Sequence, residues 1–250
     1  RQRQMCIRDR YNIKGVHPSG NESFQINKID PLNFGEIVWV VKPEDLANIG
    51  AFFKTGIFCS TRTIAVSGDS LKSPKYFSTT IGSSISSLVN DDEINDINNY
   101  RFINGDPLSG SKVEYSKYIG FYNNCLSIIE EGNNYRMLGW LPFMYNSVPS
   151  LSKTSFSWLL GGPKKVNTNL NGEERAIVVT GEMEKYFPMD IYPMQLIKAC
   201  IRGDIEKMES LGIYEVVPED FGLVDFSCTS KIEAQEIIKS GIEIMLKEVG

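Results

Sequence analysis

The feature that most constrains this chain is the dense helix punctuation that follows residue 190. Asp190 can cap a helix with Ile191, Met194, Leu196, Ile197 and Ile201 as its apolar positions, and Gly203 is placed to end it. Asp204 opens a second helix, with Ile205, Met208 and Leu211 as its stripe and Gly212 as its stop. Pro218-Glu219-Asp220 opens a short third one. Ser230 and Glu233 then form a capping box before a final helix carrying Ile238, Ile242 and Met245. Each cap contributes about 1 kcal/mol. Signals repeating this closely fit only short packed helices, so residues 176–250 are predicted to be a helical domain.

Upstream the rhythm changes. The apolar run Ile37-Val38-Trp39-Val40-Val41, within Glu36–Val41, is bounded by Gly35 and Pro43 and predicts a buried strand. Pro43 suits the first turn of a helix, with Glu44 and Asp45 against its positive end. Leu46, Ile49 and Phe53 share one face of that helix, and Gly56 stops it. Residues 61–111 read as a β-grasp unit. Thr61 to Ser67 alternates with Ile64 and Val66 on one face, and Lys75 to Thr79 returns as a second strand. A short helix then carries Ile85, Leu88 and Val89, and Tyr100 to Ile103 comes back as a strand. Residues 112–175 read as a β-rich segment with a Ser-, Gly- and Asn-rich connector; aromatics such as Tyr135 and Trp140 are expected to pack cores and interfaces. The fold class is α+β.

Composition narrows function more than it narrows fold. In 250 residues, 42% hydrophobic content with 11% aromatics suffices for a sizeable core and excludes disorder over most of the length. The 26 basic and 31 acidic residues are well mixed, which argues against nucleic-acid binding or a polybasic membrane patch. No apolar run approaches the roughly 20 residues of a membrane-spanning helix, and no secretory leader with a continuous apolar centre is read. The five cysteines are scattered without any CxxC, so they read as free thiols in a reducing compartment. Arg1 to Arg10 (RQRQMCIRDR) read as foreign, like translated sequencing adapter, with residues 11–250 a piece of a longer protein.

Chemistry-bearing motifs are mostly missing. There is no G-x-G-x-x-G and no G-x-x-x-x-G-K-[ST]. His17 is the only histidine, which argues against histidine zinc sites and serine–histidine triads. No catalytic, cofactor-binding or metal-binding residue is therefore assigned. His17 and Ser19 sit in the loop Gly15-Val16-His17-Pro18-Ser19-Gly20. They read either as contacts to a ligand or quinone, or as loop residues at a domain seam. Gly105-Asp106-Pro107-Leu108-Ser109-Gly110 reads as a turn, or as a backbone cradle for a phosphate or flavin. Cys228, just before a helix, reads as structural or as an activated thiol.

Several of these stretches, taken in order, resemble the A-subunit family of bacterial sodium-translocating NADH:quinone reductases. They are the Gly15–Gly20 loop, Val66-x-Gly68, Gly105–Gly110, Asp190-Ile191-x-Pro193, Gly203-Asp204, Leu211-Gly212, Pro218–Asp220, Phe226-x-Cys228-x-x-Lys231 and Lys247-Glu248-x-Gly250. Thr229-Ser230 departs from the Pro-Gly of many members. The resemblance implies that residues 11–60 end a Rossmann-like region and that 61–111 are a soluble-ligand-binding (SLBB) β-grasp. It also implies a peripheral component on the cytoplasmic side of the bacterial inner membrane, with no cofactor of its own. NADH, flavins, iron–sulfur centres and ubiquinone would be handled by the other subunits of the complex. The implied partners are those subunits, notably the membrane-embedded B subunit, and ubiquinone. A stand-alone β-grasp ligand-binding module and an Rnf-type electron carrier without its iron–sulfur ligands are the alternatives.

Overall fold

A computed structural model describes residues 9–89, 94, 96–133, 148–151, 153, 156–160 and 164–249. Most of the segment read as foreign lies outside these residues, as do Tyr135 and Trp140. The chain is mixed α+β, with one five-stranded sheet followed by C-terminal helices.

Two helices precede the sheet, α1 (Glu22–Ile29) and α2 (Pro43–Thr55). The signals read for α2 hold: Pro43 stands in its first turn with Glu44 and Asp45, and Gly56 ends it at φ 70°. The buried strand expected over Glu36–Val41 does not form. These residues pair with no strand among the described residues, and their side chains are exposed, Trp39 to 88%. A strand without neighbours has nothing to satisfy its backbone and nothing to bury against.

The sheet contains β1 (Thr61–Ser67), β2 (Lys75–Thr80), β3 (Tyr100–Asn104), β4 (Ser111–Val113) and β5 (Cys125–Glu130), in the order β2-β1-β5-β3-β4. β1 and β5 are parallel, in register at Ala65 and Cys125, and every other pairing is antiparallel. The middle strand thus comes from beyond residue 111. Between β2 and β3, α3 (Ile85–Leu88) buries Ile85 and Leu88 against Ile64, Val66, Leu126 and Ile128.

The C-terminal part contains α4 (Glu182–Tyr186), α5 (Pro193–Arg202), α6 (Ile205–Ser210), α7 (Gly222–Ser227) and α8 (Ala234–Val249), with a 3-10 turn at Pro218–Phe221. Their stripes meet in one core around Leu196, Ile197, Met208, Phe221 and Ile238. Two predicted caps are corrected. Asp190 does not cap α5, which begins at Pro193 after Tyr192. Nor do Ser230 and Glu233 box α8. The carboxylate of Asp225 in α7 accepts the Ala234 amide at 2.5 Å and the Gln235 amide at 3.4 Å, while Ser230 Oγ donates to the Ala176 carbonyl. The cap reaches α8 from a neighbouring helix, which a box motif cannot reveal.

Candidate functional site

Three regions meet around one large cleft: the segment with α1 and α2, the sheet unit and the C-terminal helices. Polar clamps hold each seam.

Arg62 anchors α2 to the sheet. It lies in β1 on the same face as Ile64 and Val66 and is only 3% exposed. Its guanidinium donates to the Asp45 carboxylate and the Phe121 carbonyl, lies 4.0 Å from Glu44, and stacks 5.7 Å from the Phe121 ring centre. Glu44 also accepts the Thr63 amide at 3.2 Å and Asn124 Nδ2 at 3.1 Å. The acidic first turn that favours the helix end therefore also binds the neighbouring sheet.

Asp220 does the same for α1. Buried in the C-terminal core, its carboxylate accepts Ser23 Oγ at 2.5 Å, Asn21 Nδ2 at 3.3 Å and the Val217 amide at 3.0 Å. Asn27 donates to Glu215 further along the helix.

The Gly105–Gly110 loop joins the sheet to the helices. The Asp106 carboxylate accepts the Leu108 and Ser109 amides and Ser109 Oγ. Burial pulls this carboxyl upward, but those hydrogen bonds outweigh it and hold it below its ordinary value. The turn reading holds, and the phosphate or flavin cradle does not. The amides that would bind an anion are occupied, and by a negative charge. Leu108 instead wedges against Gly222, where a Cβ would come within 3.1 Å of it, and its carbonyl accepts Gln235 Nε2 at 2.9 Å.

Between these clamps lies a cleft of about 1330 Å³. Val38, Val40, Ile49, Phe52 and Phe53 line it together with Phe121, Tyr122, Tyr214 and Val217. Glu22, Lys42, Glu219 and Lys239 supply charge to the same lining. Burial, then the nearby carboxylates of Glu22, Asp106 and Asp220, raise the Glu219 carboxyl above its ordinary value, and Lys42 works against them. An apolar body with charged edges suits binding.

A second cavity of about 550 Å³ is lined by Val148, Leu151, Asn169, Phe226, Cys228 and Lys231. Burial lowers the Lys231 ammonium from its ordinary value, and its backbone sits at φ 54°. Cys228 is a buried free thiol there, and Cys59, Cys125 and Cys200 are also not in disulfides. No group of three or more His, Cys, Asp or Glu side chains that could hold a metal ion occurs among the described residues.

His17 and Ser19 share one loop, with His17 exposed and Ser19 half-buried. The Ser19 amide closes the turn on the Val16 carbonyl at 2.9 Å. Neither residue lines either cavity. Arg62, Asp220 and Gln235 join the regions and Asp225 caps α8 from α7, roles that no sequence motif assigns to them. A signal for Arg62 is nonetheless present: its place in Thr61–Ser67 puts it in phase with two core residues.

Comparison with known proteins bears on the family. Residues 63–115 match the NQRA SLBB family, described as the NQRA C-terminal domain, and residues 5–58 match the NqrA second alpha/beta domain. The chain is 32% identical over 243 residues, 95% of its length, to the A subunit of the Na(+)-translocating NADH-quinone reductase of Neisseria meningitidis serogroup B. It is 33% identical over 240 residues, 94% of its length, to the protein of that name from Pasteurella multocida. The Rhodopirellula baltica protein gives 31% over 244 residues, 95% of this chain. The chain is similar along nearly its whole length to proteins of the NqrA family. It covers 53%, 52% and 52% of these three proteins respectively, so it spans about half the length of the curated relatives it matches. Within the NqrA frame, the SLBB match falls on the sheet unit, and the alpha/beta match begins at residue 5 and takes in α1 and α2. No helix among the described residues is long and apolar enough to cross a membrane.

Proposed function

We propose that this chain is a piece of the A subunit of a Na+-translocating NADH-quinone reductase, and that it serves the complex as a peripheral docking part without a redox centre of its own. The observation that carries this is identity near one third along 95% of the chain to proteins of that name. On this reading the complex couples NADH oxidation and quinone reduction to sodium export, with flavins and iron–sulfur centres in other subunits. The chain sits on the cytoplasmic side of the bacterial inner membrane against its partners, notably the membrane-embedded B subunit. Residues 11–60 are the end of a Rossmann-like region, 61–111 the core of an SLBB-like β-grasp, and 176–250 the docking domain. The side chains of Tyr192, Ile201 and Leu246, exposed outside the helical core, support the docking role. A contribution to quinone binding is assigned to the loop carrying His17 and Ser19.

The test is co-purification of the full-length A subunit with the membrane subunits, with and without residues 190–250. Loss of assembly by a truncated protein that still shows the intact sheet unit supports the docking role; normal assembly overturns it. Flavin bands near one equivalent in the purified chain would overturn the absence of a redox centre.

A further inference from the structure

The cavity of about 550 Å³ is lined by the connector at residues 166–175 and by the turn that leads into α8. Both stretches are held by backbone contacts. The Thr168 amide donates to the Glu130 carbonyl at 3.3 Å, and a Cβ on Gly132 would come within 2.2 Å of Asn169 N, so the connector lies directly on the end of β5. Ser230 is gripped twice: its carbonyl accepts the Arg175 amide at 2.9 Å, and its Oγ donates to the Ala176 carbonyl at 3.0 Å. Lys231 follows at φ 54°, a left-handed backbone that glycine or asparagine adopts at less cost than lysine. A long cationic side chain kept at such a position points to a use for its ammonium. Lys231 is half-buried and lines the cavity, and no hydrogen bond or ion pair of its ammonium occurs among the described residues. Of the acidic residues along the cavity, Asp225 is committed to the Ala234 and Gln235 amides, and Glu173, Glu174 and Glu233 are exposed. None of them acts on the Lys231 charge, which feels burial first and Cys228 second. Asn171 lines the same cavity; its Nδ2 donates to the Asn169 carbonyl at 3.0 Å, but its buried Oδ1 accepts nothing from the described residues.

We propose that this cavity binds a small organic carboxylate, whose negative charge meets the Lys231 ammonium, whose hydrocarbon body lies against Val148, Leu151 and Phe226, and whose own hydroxyl or amine donates to Asn171 Oδ1. An unmatched cation and an unmatched acceptor are both costly to bury, and one ligand of this kind satisfies both. The volume falls within the roughly 300–1,000 Å³ of small-molecule sites. Charge selects a monoanion over a phosphate. One ammonium balances one carboxylate, whereas a dianion would bring its second charge among Glu173, Glu174 and Glu233.

The experiment titrates the 250-residue chain calorimetrically with 2-hydroxyhexanoate, hexanoate, neutral hexanamide and inorganic phosphate. Both carboxylates are expected to bind saturably, the hydroxy acid more tightly, with hexanamide and phosphate at least about tenfold weaker. Lys231→Met should weaken both carboxylates by about tenfold or more. Asn171→Gly, which suits the left-handed backbone there (φ 52°), should bring the hydroxy acid down to the affinity of hexanoate and leave hexanoate unchanged. In the unsubstituted chain, carboxylate binding should fade as the pH rises through the Lys231 pKa, which burial places below the ordinary lysine value. That pH series decides the matter should Lys231→Met fold poorly by circular dichroism. Absence of saturable carboxylate binding up to about 20 mM overturns the proposal. So does hexanamide binding equally well, which removes the role of charge, or carboxylate binding that survives Lys231→Met, which places it at another site. Tighter binding of phosphate likewise overturns it, assigning the cavity to phosphate compounds.

Discussion

Two helices of this protein obey the same grammar and meet different fates. α2 and α5 both begin with proline in the first turn, end at a left-handed glycine (Gly56 at φ 70° and Gly203 at φ 64°) and carry apolar residues at helical spacing. In α5, Met194, Leu196, Ile197, Ala199 and Cys200 are all buried; in α2 nothing is. Periodicity says that a face must be covered. It does not say by what. The stripe of α5 finds α6 and α8 within the same sixty or so residues, whereas the stripe of α2 borders the open cleft unburied and leans on salt bridges at one end.

The contrast breaks most sharply at single aromatic side chains. Phe221, fully buried among the C-terminal helices, should cost about 3–5 kcal/mol when replaced by alanine, read by urea unfolding. Phe53→Ala on α2 should change stability by no more than about 0.5 kcal/mol in the same assay, because Phe53 is 83% exposed. Equal losses at the two positions would mean that α2 is already covered in this chain.

A smaller effect tests how α2 is held. Arg62→Ala leaves Asp45 and Glu44 without their cation, and should cost about 2–3 kcal/mol. That is less than for a sealed pair, because both carboxylates remain about a third exposed, at 30% and 32%. Limited proteolysis should then cut within residues 43–55 before it cuts the C-terminal helices. Retention of α2 in Arg62→Ala would show that apolar contacts, not the ion pair, attach it.

The smallest effect lies in the sheet unit and separates its electrostatics from its packing. Arg101 foremost, with Thr168 and Lys112, holds the Glu131 carboxyl below its ordinary value against the pull of burial. A carboxyl depressed in the folded state stabilises above its unfolded pKa and loses that contribution as the pH falls through the folded one. Glu131→Gln should therefore lower stability near neutral pH by about 1 kcal/mol or less. The gap should close on acidification, as followed by thermal melts across the carboxylate range. A gap that persists in acid would mean the loss is steric.

What is legible in the sequence divides along the same line. The α2 boundaries, β1, β2, α3 and the glycine stops at Gly203 and Gly212 are readable because proline, alternation and left-handed glycine act within a few residues. The Asp225 cap on α8 and the Asp220 clamp on α1 are not, since each depends on a side chain delivered by another element. The Glu36–Val41 strand fails for a related reason. Its apolar content is plain, but strand formation needs a neighbour that this stretch does not contain. At the site, the ordered motifs point to the family, while the seam residues Arg62 and Gln235 emerge only once the regions are brought together.

The position of β5 has a consequence for how the sheet unit is made. β5 pairs with β1 across sixty residues of sequence, as Ala65 meets Cys125, and also with β3. Until it arrives, the β1–β2 hairpin and the β3–β4 pair each present an open hydrogen-bonding edge to solvent, and neither has the other to close it. The sheet cannot grow outward strand by strand. It closes by insertion at its middle, and the long loop this requires must be ordered before any of its contacts reward it. A nascent chain halted before Cys125 would thus carry two unsatisfied strand edges, and its main hazard would be pairing with its own kind rather than failing to start.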